Sequence, residues 1–211
     1  MNVSDYDKLV LTTRYWLLGK AENDSRYLVT LQAFEVFLKY HKGMRKDDVT
    51  KEAYHQLSIF SMLRTMVTMF ENPHIVLAVA LLHDTYEDYK ESHAELYEKF
   101  PDLMVYVIRI SKVRDGKKIP YEVYFGEMSN CPITSIVKIA DRIHNLSTMN
   151  GVFSIEKEGL YVQDVYDWFY PMIKTARRSF PQQEPVYELL RSILALEVNL
   201  IENKLALANS I

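Results

Sequence analysis

The sequence predicts an all-α fold, a single compact helical bundle spanning residues 1–211. Apolar residues recur at helical spacing along most of the chain. Only 6 Gly and 7 Pro are present, which leaves little room for loops or disorder. The one strand-like stretch, Tyr121 to Phe125, is too short to suggest a sheet. No repeat, linker or low-complexity tract divides the chain, and its length suits one sizeable domain.

The elements follow in order. Ser4-Asp5-Tyr6-Asp7 resembles a capping box that opens a helix running to about Leu18. A second helix is expected over 24–40, with Leu28, Leu31, Phe34 and Leu38 on its inner face. A third, over 50–70, carries Ile59, Phe60, Leu63, Met66, Val67 and Phe70, and His55 lies one turn before Ile59 on the same face. Asn72-Pro73 is a strong helix start, and the following stretch to Leu82 is apolar all round, which marks a buried central helix. Further helices are expected at 92–99, 101–111, 131–149 and 158–179, with an amphipathic C-terminal helix at 183–207. Asp115-Gly116-Lys117-Lys118 reads as an exposed turn.

Composition narrows the function. The net charge of −3 argues against a nucleic-acid binder, which carries a basic face. The longest wholly apolar run, Ile75 to Leu82, falls far short of the ~20 residues of a membrane span. The N-terminus lacks a signal-peptide pattern, so the expectation is a soluble, cytoplasmic protein. Cys131 is the one cysteine and is expected to pack half-buried, without a disulfide.

The chemistry centres on His83-Asp84-Thr85-Tyr86-Glu87-Asp88, at the end of the buried helix. Three carboxylates at a helix C-terminus oppose the local dipole, and a buried ionised carboxylate needs a partner. A divalent cation would resolve both difficulties. His55 on the preceding helix and Asp141, after Ile136-Val137-Lys138-Ile139-Ala140, could complete the site. Two nitrogen and two oxygen ligands suit Mn²⁺, Fe²⁺ or a similar divalent ion better than a thiolate zinc site. Glu87 and Asp88, one turn after His83 and Asp84, could orient or deprotonate the attacking water. Taken alone, each feature is commonplace: a His-Asp pair as a capped helix end, His55 as a core histidine, Glu87 and Asp88 as a solvated terminus. The ordered set His, His-Asp, Asp over 55–141 is far more specific than any member. His41, His74 and His93 are read as surface or packing residues.

This pattern resembles the HD superfamily of metal-dependent phosphohydrolases. Within it, Ala80-Leu81-Leu82-His83-Asp84-Thr85-Tyr86-Glu87-Asp88 resembles the A-x-L-H-D-x-x-E-D segment of RelA/SpoT-type alarmone hydrolases. Lys138-Ile139-Ala140-Asp141-Arg142-Ile143-His144-Asn145-Leu146 is similar to their K-[LI]-[AS]-D-R-x-H-N-[ML] segment. His41-Lys42-Gly43-Met44-Arg45-Lys46 resembles the segment in which an Arg-Lys pair meets the nucleotide. The resemblance covers about residues 27–175, and the chain looks like a small, stand-alone alarmone hydrolase without a synthetase domain, similar to the metazoan SpoT homologues.

The resemblance implies hydrolysis of (p)ppGpp at the 3′-pyrophosphate, a stringent-response activity, with Mn²⁺ as the usual cofactor. It implies His55, His83, Asp84 and Asp141 as metal ligands and Glu87 with Asp88 as the catalytic acidic pair. It also implies Arg45, Lys46, Lys112, Asn145 and Tyr166 as substrate contacts, Tyr170 being the neighbouring choice for the last. Arg142 could serve the polyphosphate or act as a structural ion-pair partner. The chain departs from the family's Pro-Tyr-x-x-His-Pro pattern around the metal histidine, where Glu52-Ala53-Tyr54-His55-Gln56 stands. That leaves guanine against adenine open, with ppApp and NADPH as further candidate substrates. The alternatives are an HD-type nucleotide phosphatase, acting on the NADPH 2′-phosphate or on deoxynucleotides, and an inactive nucleotide-binding module. No nucleic-acid or membrane partner is expected, and the oligomeric state stays open.

Overall fold

The computed structural model describes residues 3–208, and over them the fold is all-α with one two-stranded hairpin. The chain divides into two compact units, Met1–Ile119 and Pro120–Ile211. No helix among the described residues is long and apolar enough to cross a membrane.

In the first unit, α1 (Val3–Asn23) runs a turn past the expected end, while the side chain of Ser4, the expected cap, lies outside the described residues. The break after α1 comes from Asp24, whose extended backbone (φ −149°) and carboxylate cap the short 3₁₀ turn Ser25–Tyr27 through Arg26 N. α2 (Leu28–Tyr40) buries Thr30, Ala33, Phe34 and Phe37, a face rotated from the expected Leu28, Leu31, Phe34 and Leu38. Leu28 is 49% exposed. A hydrogen bond is compatible with this rotation: Thr30 Oγ1 donates to His74 O at 2.8 Å, so the threonine is buried with its hydroxyl satisfied.

α3 (Tyr54–Arg64) starts later than expected because Thr50 belongs to a turn. The Asp47 carboxylate accepts from Val49 N, Thr50 N and Thr50 Oγ1, and Asp48 adopts φ +55°. α3 also ends sooner, at Arg64, and a 3₁₀ turn Val67–Met69 replaces its expected last turn.

α4 (Pro73–Leu82) begins at Asn72-Pro73 as expected, although the Asn72 side chain makes no cap hydrogen bond. It packs against α2 and α3, and every residue from Val76 to Leu82 is buried. The helix stops at His83, and the four-residue α5 (Thr85–Asp88) restarts the chain. α6 (His93–Lys99) and α7 (Met104–Ile110) follow. The expected exposed turn is a hairpin: β1 (Val113–Arg114) pairs antiparallel with β2 (Lys117–Lys118). Asp115 and Gly116 both have positive φ, 50° and 73°, which matches the twist of a two-residue hairpin turn.

In the second unit, the strand-like Tyr121 to Phe125 is the first half of a helix, α8 (Tyr121–Ser129). Its buried residues, Tyr124, Phe125 and Met128, follow helical spacing, which overrides the β preference of aromatic and β-branched types. α9 (Pro132–Thr148) is buried from Ile133 through His144. Cys131, at its N-cap, is fully buried rather than half-buried.

The helix expected over 158–179 is instead three pieces: α10 (Ile155–Asp164), a π-helical turn Val165–Phe169, and α11 (Tyr170–Ser179). Pro171 explains the interruption, since it lacks the N–H for an α-type bond and its ring crowds the preceding turn. α12 (Glu184–Ala208) lays Val186, Tyr187, Leu190, Leu194, Val198 and Ile201 inward. It packs on α9, where Ser135 Oγ and Tyr187 OH meet at 2.7 Å.

Candidate metal centre

The break between α4 and α5 positions two adjacent donors, and the first turn of α3 supplies a third. His83 is 1% exposed and His55 is 5% exposed, whereas Asp84 is half-buried. One donor atom from each of His55, His83 and Asp84 lies within 4.8 Å of the other two. His83 Nδ1 sits 2.8 Å from Ala80 O. A carbonyl only accepts, so Nδ1 carries a proton there, and Nε2 is the ring nitrogen on the Asp84 side. That Nε2 lies 3.1 Å from Asp84 Oδ2, and His55 Nε2 lies 3.7 Å from the same oxygen. Two imidazoles and a carboxylate converging at this distance make a compact nitrogen and oxygen donor set. The donor set therefore fits a divalent metal. Gln56 Nε2, buried beside His55, donates to Asp84 Oδ2 at 3.4 Å.

The acidic pair on α5 is not symmetric. Glu87 Oε2 accepts the backbone N–H of Lys112 at 2.6 Å, tying α5 to the start of the hairpin. Asp88 is exposed as a residue, yet its carboxyl titrates high, at about 6. Burial of the carboxyl is the main cause, and the negative charges of Asp84, Glu87 and Glu52 add to it.

Arg45 and Lys46 sit on the loop between α2 and α3, Arg45 half-buried and Lys46 exposed. The loop is closed by a bridge between Met44 and Lys51, with Arg45 N donating to Thr50 O and Glu52 N to Gly43 O. The Lys112 side chain is half-buried.

The remaining expected site residues belong to the second unit. Asp141 is buried on α9, with Lys138 Nζ 2.7 Å from Oδ2 and Asn145 Nδ2 2.6 Å from Oδ1. Arg142 is buried as an ion-pair partner: Nη2 reaches Asp164 at 3.1 Å, and the guanidinium lies over Tyr161 and Phe169. Tyr166 is 46% exposed in the π-helical turn, donates to Glu202 Oε1 at 3.0 Å and packs edge-on against Tyr170.

Two residues beside the centre escaped sequence reasoning. His41, read as a surface or packing residue, is buried directly behind the α5 turn, its Nε2 3.0 Å from Thr85 Oγ1. Burial pulls it down to about 4, against the opposing pull of Asp84 and Glu52, so it is neutral near pH 7. Glu52 Oε2 accepts from Tyr89 OH at 2.5 Å, and its other oxygen lies 3.6 Å from His41 Nδ1. The sequence signal for His41 was its place at i+4 from Phe37 on the buried face of α2. Glu52 had none.

No family model matches the chain. It is 24% identical over 148 residues to a GTP pyrophosphokinase of Streptomyces coelicolor, covering 67% of this chain but 17% of that protein. The chain thus spans less than a fifth of the length of the first such relatives. It is 26% identical over 164 residues to a guanosine-3′,5′-bis(diphosphate) 3′-pyrophosphohydrolase of Danio rerio, covering 74% of this chain and 88% of the relative. The corresponding protein of Xenopus tropicalis is 27% identical over 154 residues, 70% and 84% of the two chains. These distant homologies agree with the resemblance to RelA/SpoT-type hydrolases carried by the three motifs.

Proposed function

We propose that this chain is a divalent-metal-dependent alarmone hydrolase that splits (p)ppGpp at the 3′-pyrophosphate, giving GDP or GTP and pyrophosphate. The observation that carries the proposal is the His55–His83–Asp84 cluster, with His83 Nε2 facing Asp84 Oδ2 at 3.1 Å. The names of the two vertebrate relatives supply the substrate class.

In this reading His55, His83 and Asp84 hold the metal, with Mn²⁺ as the preferred ion, and the K-I-A-D-R-I-H-N-L motif adds Asp141 as fourth ligand. The bound ion would act as a Lewis acid on a phosphoryl oxygen and lower the pKa of water. Asp88, with its pKa raised to about 6, is suited to take the proton from the attacking water. Glu87 orients the acidic turn through Lys112 N. Arg45, Lys46 and Lys112 would neutralise the polyphosphate, while Asn145 meets the sugar and Tyr166 the base.

The test is to offer purified protein with Mn²⁺ a panel of ppGpp, pppGpp, ppApp, NADPH and nucleoside monophosphates. Pyrophosphate release from ppGpp, abolished by EDTA and by Asp84→Ala, is expected. Phosphate release from monophosphates alone would overturn the proposal.

A further inference from the structure

The α2–α3 loop that carries Arg45 and Lys46 is exposed over most of its length, yet one interaction fastens it to the acidic turn. Glu52, at the loop's far end, accepts the Tyr89 hydroxyl at 2.5 Å, and Tyr89 directly follows Asp88. The other Glu52 oxygen lies 3.6 Å from His41 Nδ1, at the loop's near end. The backbone joins the same two ends, since Glu52 N donates to Gly43 O at 3.0 Å. Burial, then Glu52 itself, raises the Tyr89 hydroxyl well above its ordinary value, so it stays a donor at any working pH.

Gly43 belongs to the same arrangement. A Cβ there would meet Glu52 Oε2 at 3.0 Å, closer than a comfortable contact, and would press on the oxygen that Tyr89 holds. A side chain at this point would make the Glu52 carboxylate give by a few tenths of an ångström. The family pattern around the metal histidine has no glutamate here, so the clasp belongs to this chain rather than to the resemblance.

We propose that Glu52 is a positioning residue that clasps the Arg45–Lys46 loop to the end of α5, fixing the basic and acidic arms of the site relative to each other. The inference rests on the proposed alarmone reading for its kinetic consequence, but not for its structural one. A clasp of this kind acts on how the phosphates are gripped. Its carboxylate is engaged with Tyr89 and His41 at the two ends of the loop, so it governs KM more than kcat or metal affinity.

The experiment compares Glu52→Ala, Glu52→Gln, Tyr89→Phe and Gly43→Ala by hydrogen exchange of the loop amides and by steady-state kinetics. Glu52→Ala and Tyr89→Phe are expected to speed exchange across residues 43–52 by about tenfold and to raise KM for ppGpp by a similar factor, with kcat within about twofold. Glu52→Gln keeps an acceptor for the Tyr89 hydroxyl and should lie nearer the parent protein, whereas Gly43→Ala should resemble Glu52→Ala. Unchanged loop exchange in both Glu52→Ala and Tyr89→Phe would overturn the clasp, as would a fall in kcat at constant KM. If no variant and no parent protein turns over ppGpp, the functional reading fails, and loop exchange alone still decides the clasp.

Discussion

Glu87 holds the backbone N–H of Lys112 at 2.6 Å, so a carboxylate expected to act on water also fixes the start of the hairpin. Its neighbour Asp88 has the perturbed acidity instead. The two members of the pair should therefore fail differently. Asp88→Asn is expected to lower kcat by at least about 10²-fold with thermal stability unchanged or slightly improved. Glu87→Ala strands a backbone donor and should lose about 1–3 kcal/mol of stability as well as activity. Parallel kinetics and thermal denaturation of the two variants separate these outcomes.

Asp88 also sets a pH signature. In metal-free protein, its carboxyl should titrate at about 6 when followed by carbon NMR. Its folded pKa lies above the ordinary carboxylate value, so its contribution to stability is greatest at low pH and is lost as pH rises through about 6. A divalent cation beside Asp84 favours the charged form and should move the titration to lower pH. A titration unmoved by saturating Mn²⁺ would contradict the proposed centre.

His41 works in the opposite sense. Its folded pKa, about 4, lies below the ordinary histidine value of 6.5. Between these values the unfolded chain binds a proton that the folded chain refuses. Stability should therefore fall as pH drops from about 6.5 towards 4, by on the order of 3 kcal/mol. Thermal unfolding across that window should show the slope, and His41→Gln should flatten it.

Metal loading should register as stability independent of turnover. Mn²⁺ at about 100 times its dissociation constant adds about 2.7 kcal/mol to a protein that binds it only when folded. A thermal shift that EDTA reverses is expected, and it should vanish in His55→Ala and Asp84→Asn. Persistence of the full shift in both variants would move the ion elsewhere.

The parts of this fold that the sequence made legible are those with local causes. Asn72-Pro73 starts α4 and the apolar run to Leu82 buries it, both within one stretch of chain. His83 and Asp84 could be read because they are neighbours at that helix's end. The face of α2 could not, because the His74 carbonyl that satisfies the buried Thr30 hydroxyl lies 44 residues away. Glu52 was silent for the same reason: its meaning comes from Tyr89, 37 residues on. Tyr121 to Phe125 misled because residue type favours a strand while burial spacing follows a helix. The π-helical turn before Pro171 was legible in principle, since the proline forbids the unbroken helix expected there.

The end of α4 has a further consequence. His83 and Asp84 follow directly on a helix buried on every side, so in the proposed centre two donors would be set before any ion arrives. Their ordering entropy is absorbed when the core forms, not when the metal binds. Affinity should then hinge on the donors supplied by other helices, His55 on α3 among them. Small displacements of α3 would tune or release the ion while leaving the rest of the bite intact.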